Sequence, residues 1–251
     1  MIFRTIITWG LGIPVTLVLF VFALIGGITD PSGKTVHKVG TLWVKAILML
    51  AGVKVEVRGL ENIPAGTVIL ASNHRGTFDI PVLQANLPVP FHWVAKKGLF
   101  DVPIIGWTMR LAGYVPIHMD GAAKAFRSIS DASEKLKAGT SLFMFPEGTR
   151  NVKDELLPFK RGCFMLAVKS GVPIVPIAIS GTRDIMRLGG VLIRPATARL
   201  YVGELIPSKG PDGPVDEREL KEKTRAAIEK GLSIITADKT PGQNLLSEPP
   251  E

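Results

Sequence analysis

Apolar and polar positions along this chain fall into three regimes. From Thr5 to Thr29 no charged residue occurs, with Arg4 before the run and Asp30 after it. A helix needs about 20 apolar residues to cross a bilayer core, and this run exceeds that. Gly10, Gly12, Pro14, Gly26 and Gly27 within it belong to types commoner in membrane helices than in soluble ones. A secretory signal peptide shares the basic start and apolar core. The length of the run and the lack of an A-x-A site after it favour an anchor. Asp30-Pro31-Ser32-Gly33 reads as a turn, which leaves both a spanning helix and a re-entrant hairpin open.

The second regime, Thr35 to Leu50, has a helical period. Val39, Leu42, Trp43, Ala46, Ile47 and Leu50 fall on one side, and Lys34, Lys38 and Lys45 lie nearer the other. Such a helix suits the lipid headgroup layer. It equally suits packing of its apolar face on a protein core. The local basic excess keeps these flanks on the cytoplasmic side by the positive-inside tendency.

From Val53 onward short apolar runs alternate with helical patterns. Strands are expected at Lys54–Arg58, Thr67–Ser72, His92–Ala95, Tyr114–Ile117, Ser141–Phe145, Ile174–Ile179 and Ala198–Gly203. Helices are expected at Ile80–Asn86, Ile104–Leu111, Ala122–Lys137, Gly162–Ser170 and Glu217–Ala237. This alternation predicts an α/β fold, a largely parallel central sheet flanked by helices. The expected organisation is an N-terminal helical membrane anchor (1–52), an α/β domain (53–239) and a flexible tail (240–251).

Composition adds a basic body to this greasy start. The chain has 251 residues, a formal charge of +8 and a mean hydropathy of +0.28. Positive charge suits nucleic acid, anionic headgroups or an acidic carrier. No nucleic-acid-binding motif accompanies it, so nucleic acid is not an expected partner. One cysteine, Cys163, excludes an internal disulfide and a Cys-rich zinc site. Gly33-Lys34-Thr35 resembles the end of a P-loop, but Ile28 stands where its first glycine is required. The pattern calls for no metal and no cofactor.

The chemistry concentrates in two windows. Asn73 to Asp79, NHRGTFD, directly follows an expected strand. On one continuous helix His74 and Asp79 would diverge by about 140 degrees, at roughly 100 degrees per residue. They pair only if His74 lies on a loop and Asp79 opens a helix. Gly76 gives the loop freedom, Asp79 suits a helix N-terminus, and Pro81 is tolerated in the first turn. This is the oriented-base half of a catalytic triad without a protein nucleophile. The chain has no G-x-S-x-G elbow, so the substrate's own hydroxyl becomes the candidate nucleophile.

The second window, FPEGTR from Phe145 to Arg150, ends another expected strand. Loops after parallel strands gather at one edge of the sheet, which brings Glu147, Thr149 and Arg150 towards His74. A guanidinium such as that of Arg150 forks onto phosphate oxygens. A Glu147–Arg150 pair that only closes the turn is the plainer alternative. Lys160 and Arg161 add positive charge before the next helix. His37 and His92 have no motif partner and are expected to be bystanders.

Together NHRGTFD and FPEGTR resemble the glycerolipid acyltransferase family, whose members carry N-H-x-x-x-x-D and F-P-E-G-T-R blocks. Two further stretches match in order: AKKGLFDVPIIGW (Ala95 to Trp107) and VPIVPIAISG (Val172 to Gly181). By size and apolar N-terminus the chain is most similar to the bacterial lysophosphatidic acid acyltransferases. His118 stands where the family often has arginine, and Gly98 where a side chain is often acidic. The resemblance implies transfer of a fatty acyl group from an acyl thioester, acyl-CoA or acyl carrier protein, to the sn-2 hydroxyl of 1-acyl-sn-glycerol 3-phosphate. The alternatives are another lysolipid or glycerol 3-phosphate as acceptor, or a non-catalytic membrane-tethered lipid-binding protein of the same fold, against which the His74–Asp79 pair beside Arg150 argues. The resemblance implies His74 as base with Asp79 orienting it. Lys97 and Arg150 would hold the acceptor phosphate, Glu147 would order the loop or the glycerol, and Asn73, Gly148 and Thr149 would shape the pocket. It further implies a cell inner membrane location with the catalytic domain on the cytoplasmic side.

Overall fold

The structure, a computed structural model, describes residues 1–118, 121–153, 155–211 and 213–237. The expected tail, 240–251, lies outside the described residues.

Helix α1 (Ile2–Thr29) is apolar on all sides, and most of it is exposed. It is long and apolar enough to cross a membrane. The turn after it is tied by Asp30, whose carboxylate accepts the Ser32 and Thr35 amides at 3.0 and 2.9 Å. The chain then returns as α2 (Lys34–Ala51), packed along α1, with Trp43 Nε1 donating to Thr16 Oγ1 at 2.8 Å.

The body is a three-layer α/β sandwich. Strands β1 (Lys54–Arg58), β2 (Ile69–Ser72), β3 (His92–Lys96), β4 (Val115–Ile117), β5 (Leu142–Met144), β6 (Ile174–Ser180) and β7 (Thr197–Val202) form one sheet. Their order is β1-β7-β6-β2-β5-β3-β4, and every pairing is parallel except β6 with β7. Central β2, β5 and β6 are buried throughout, so they read as continuous apolar runs. Edge strand β1 alternates, with Lys54, Glu56 and Arg58 outward.

Strand period two sorts the core into two halves. Leu70, Phe143, Ile177 and Leu200 face a layer made by α2 and α3 (Asp79–Asn86). Ile69, Leu142, Met144 and Ala178 face α5 (Ala122–Lys137), α6 (Gly162–Ser170) and α8 (Glu217–Ala237). The lone thiol, Cys163, is fully covered in that second half, and burial pushes it up to about 12.

The N-terminal region is packed on the body, since Leu48 and Ala51 of α2 are part of the core shared with the sheet. His37, which has no motif partner, has structural ones: its Nδ1 lies 3.0 Å from the Tyr114 hydroxyl, and its ring meets Phe91 edge-on. Both contacts join α2 to the body. The lysine face of α2, Lys34, Lys38 and Lys45, stays exposed as expected. Two short helices follow strands of the sheet: α4 (Ile105–Leu111) after β3 and a 3-10 turn at Lys97–Asp101, and α7 (Thr182–Ile185) after β6. Gly106 lets α4 close on that turn, since a Cβ there would sit 2.0 Å from the Phe100 carbonyl oxygen.

Candidate active site

The parallel strands β6, β2, β5 and β3 release their following segments at one edge of the sheet. His74 and Asp79 follow β2, Glu147 to Arg150 follow β5, Lys97 follows β3 and Thr182 follows β6. This is the edge at which open α/β sheets place their ligands.

His74 lies on the loop and Asp79 is the first residue of α3. His74 Nδ1 is 2.7 Å from Asp79 Oδ2. The same oxygen accepts the Arg75 and Gly76 amides at 2.6 and 2.9 Å, and Oδ1 accepts the Thr182 hydroxyl. Asp79 is fully buried, and each of these partners donates to it. A carboxylate saturated by donors fixes the proton on His74 Nδ1 and leaves Nε2 with its lone pair. The imidazole is 14% exposed. It stacks on Phe145, with centroids 3.9 Å apart and planes 11° from parallel. Hydrogen bond and stack together allow the ring little rotation.

Glu147 couples the two motif loops. It is 2% exposed; Oε1 accepts the His74 amide at 2.8 Å, and Oε2 accepts the Leu157 amide at 2.9 Å and Asn151 Nδ2 at 3.2 Å. The Asn151 amide in turn donates to the His74 carbonyl at 2.8 Å. The carboxylate of Glu147 therefore braces the loops, and no Glu147–Arg150 ion pair forms among the described residues. Asn73, also buried, does similar work below. Its side chain accepts the Ile179 amide at 2.9 Å and donates to the Ile179 carbonyl at 3.0 Å, clamping the end of β2 to β6.

Gly148 has φ +69°, in the left-handed region, and a Cβ there would lie 3.0 Å from the Lys160 side chain. The turn it makes leaves Thr149 and Arg150 exposed. Arg150 Nη1 donates to Thr77 Oγ1 at 2.9 Å, which ties the second motif to the first across the cleft. Arg75 and Arg183 both donate to the Lys153 carbonyl, at 2.7 and 3.1 Å, and add positive charge beside it.

Lys97 stands apart from this network. Its ammonium is 2.7 Å from Asp101, which also accepts from Arg110 at 3.1 Å. The bond from Lys97 holds the Asp101 carboxyl below its ordinary range. His118 follows β4, and its amide donates to Ser128 Oγ at 3.2 Å.

Sequence reasoning missed Thr182, Phe145 and Asn151 as parts of this arrangement. Thr182 is one position beyond the Val172–Gly181 block. Phe145 reads as an ordinary strand residue until the ring above it is seen.

The acyltransferase family model matches residues 54–180, which carry both motif loops and the strands beneath them. A chloroplastic 1-acyl-sn-glycerol-3-phosphate acyltransferase of Brassica napus is 37% identical over 61% of this chain and 44% of its own length. The chain thus spans less than half of that relative. A 1-acyl-sn-glycerol-3-phosphate acyltransferase of Pseudomonas aeruginosa is 30% identical over 83% of this chain and 78% of its own. Among solved structures, the 1-acyl-sn-glycerophosphate acyltransferase PlsC of Thermotoga maritima superposes with a TM-score of 0.80. It is 27% identical, covering 95% of this chain and 97% of that one. With its two motif loops inside the matched span, the chain belongs to the acyltransferase family.

Proposed function

We propose that the protein transfers a fatty acyl group from an acyl thioester to the sn-2 hydroxyl of 1-acyl-sn-glycerol 3-phosphate, giving phosphatidic acid. The observation that carries this reading is an imidazole oriented through Nδ1 by a buried carboxylate, with no serine or cysteine bonded to it among the described residues. The acceptor hydroxyl is then the nucleophile. His74 Nε2 takes its proton as the oxygen attacks the thioester carbonyl. The new C–O bond forms, the C–S bond breaks, and the imidazolium returns the proton to the departing thiolate. Asp79 stabilises the imidazolium in between.

Exposed Arg150 is the candidate ligand for the acceptor phosphate. Lys97 joins it only by giving up or sharing Asp101. Glu147 serves by bracing the His74 loop, while Gly148 and Thr149 shape the turn. The relatives from Brassica and Pseudomonas, named for action on 1-acyl-sn-glycerol 3-phosphate, support the same acceptor. No cofactor is needed; acyl-CoA or acyl carrier protein enters as co-substrate. The reactive hydroxyl of a one-chain lipid stays near the headgroup plane. The exposed apolar α1 therefore supports work at a membrane, the inner membrane of the cell with the catalytic edge on its cytoplasmic side.

An acceptor panel with purified full-length protein tests this reading. 1-Acyl-sn-glycerol 3-phosphate, its phosphate-free analogue and glycerol 3-phosphate are each offered with acyl-CoA and with acyl carrier protein. Turnover restricted to the first acceptor, with acyl found at sn-2, is expected. Equal turnover of the phosphate-free analogue refutes the acceptor assignment.

A further inference from the structure

We propose that two apolar shoulders of the catalytic body enter the headgroup layer of an anionic bilayer beside α1, with the catalytic loops held open to that surface between them. This rests on the membrane reading above and assigns the surface that makes the contact.

The first shoulder is the loop after α7, where Leu188, Val191 and Leu192 are exposed. The second spans the 3-10 turn and α4, where Leu99, Ile105 and Trp107 are exposed. Each of the six side chains is between 45% and 64% exposed. Soluble surfaces show such residues singly; two clusters on one edge mark a contact surface. Both clusters are tied to α1. Trp9 Nε1 donates to the Val191 carbonyl at 2.8 Å, and the Ile193 amide donates to Thr5 Oγ1 at 2.9 Å. Towards the other end of α1, Phe20 stacks on Trp107 with centroids 6.0 Å apart. A helix uncharged from Thr5 to Thr29 and gripped in this way along the body brings both clusters to whatever phase covers it.

Sheet order fixes what lies between them. The shoulders follow β6 and β3, and β2 and β5 stand between those two strands. All four run parallel, so the loops with His74 and Arg150 leave the same edge, bracketed by the shoulders. Thr182, which donates to Asp79, begins the α7 turn that leads into the first shoulder.

Charge selects lipid over a second protein. Arg187 and Arg194 flank the first shoulder, and no acidic residue occurs from Ile185 to Gly203. Lys96, Lys97 and Arg110 flank the second, with Asp101 as the acidic group already paired there. An apolar tip with a basic rim matches acyl chains beneath anionic phosphates.

The buried Cys163 makes a clean test, because it leaves the full chain silent to thiol labelling. Val191→Cys and Ile105→Cys are each labelled with nitrobenzoxadiazole. Ile6→Cys on α1 serves as reference and Glu222→Cys on α8 as the distant control. Each is mixed with phosphatidylcholine–phosphatidylglycerol vesicles carrying doxyl-labelled lipid. Blue-shifted emission and doxyl quenching at Ile6→Cys, Val191→Cys and Ile105→Cys, with neither at Glu222→Cys, are expected. Quenching at Ile6→Cys with either shoulder probe unquenched overturns the proposal, and with both unquenched α1 is the sole anchor. A blue shift without quenching reports a second protein chain on the shoulder and overturns it equally. No quenching at any position, Ile6→Cys included, removes the membrane reading itself.

Discussion

Glu147 accepts the backbone amide of His74 at 2.8 Å, so His74 is positioned through its main chain by the second motif and through its ring by Asp79. The two motif loops act as one unit, and damage to either reaches the imidazole.

Removal of the base gives the plainest test. His74→Ala should lower kcat by a factor of about 10² to 10⁴, the usual contribution of a positioned base. Its melting temperature should fall as well, because the imidazole donates to fully buried Asp79 and stacks on Phe145. The loss of turnover should persist well below that melting point. Near-parental turnover of a folded His74→Ala protein would falsify the mechanism.

Thr182→Val probes the support beneath the base. The substitution keeps shape and leaves Asp79 Oδ1 without its hydroxyl donor in a fully buried position. A lost hydrogen bond to a buried charge costs about 1.5–3 kcal/mol, to be read from denaturant unfolding. Turnover should fall with little change in acceptor KM, and Thr182→Ser should restore much of both. Unchanged stability and kcat in Thr182→Val would remove this residue from the site.

Glu147→Gln should be nearly as damaging as Glu147→Ala. All three partners of the carboxylate are N–H donors, and a glutamine NH₂ would face at least one of them. Thermal melts check the stability loss. A Gln variant with parental melting and turnover would show that the brace tolerates a neutral group.

Arg150→Ala should raise the KM for the phosphorylated acceptor far more than that for the thioester. Loss of a charge-assisted contact corresponds to about 1.5–3 kcal/mol, roughly ten- to a hundredfold. Initial-rate kinetics with each substrate varied separately gives the answer. An equal rise for both substrates would mean that the Arg150–Thr77 bond, and hence loop order, was what mattered.

His37 supplies a pH dependence. Burial lowers its imidazole from the ordinary value to about 4, so the folded protein resists protonation that the unfolded chain accepts at about 6.5. The unfolded state binds more protons between those values. Stability is therefore intact above about 6.5 and declines as pH falls towards 4. His37→Gln, measured in the same detergent, should show a shallower decline over that window. Parallel curves for the two proteins would exclude His37 as the titrating group.

Much of this was legible in the sequence because local rules and the fold agree. The loop-then-helix arrangement of His74 and Asp79 followed from Gly76 and Pro81, and the structure brings the two side chains into contact. Strand and helix positions in the body match the expected runs to within a residue or two, since buried parallel strands are almost purely apolar. Amphipathicity located the α2 helix but could not name the surface its apolar face would meet. The buried positions are Val36, His37, Val44, Leu48 and Ala51, not the face expected, of which Leu42 is exposed; Leu48 and Ala51 meet the sheet. The Lys97–Asp101 pair at i,i+4 was present in the sequence as a helix-like spacing, overshadowed by the motif around it. Thr182 escaped because its contact spans more than a hundred positions of chain, and only the adjacency of β2 and β6 creates it.

Cys163, sealed behind α6, has a consequence for the thioester donor proposed above. Turnover of such a donor would set free a thiol beside a protein whose one cysteine is covered. A covered thiol, held protonated by burial, is kept from taking the acyl group and from forming a mixed disulfide with the released carrier.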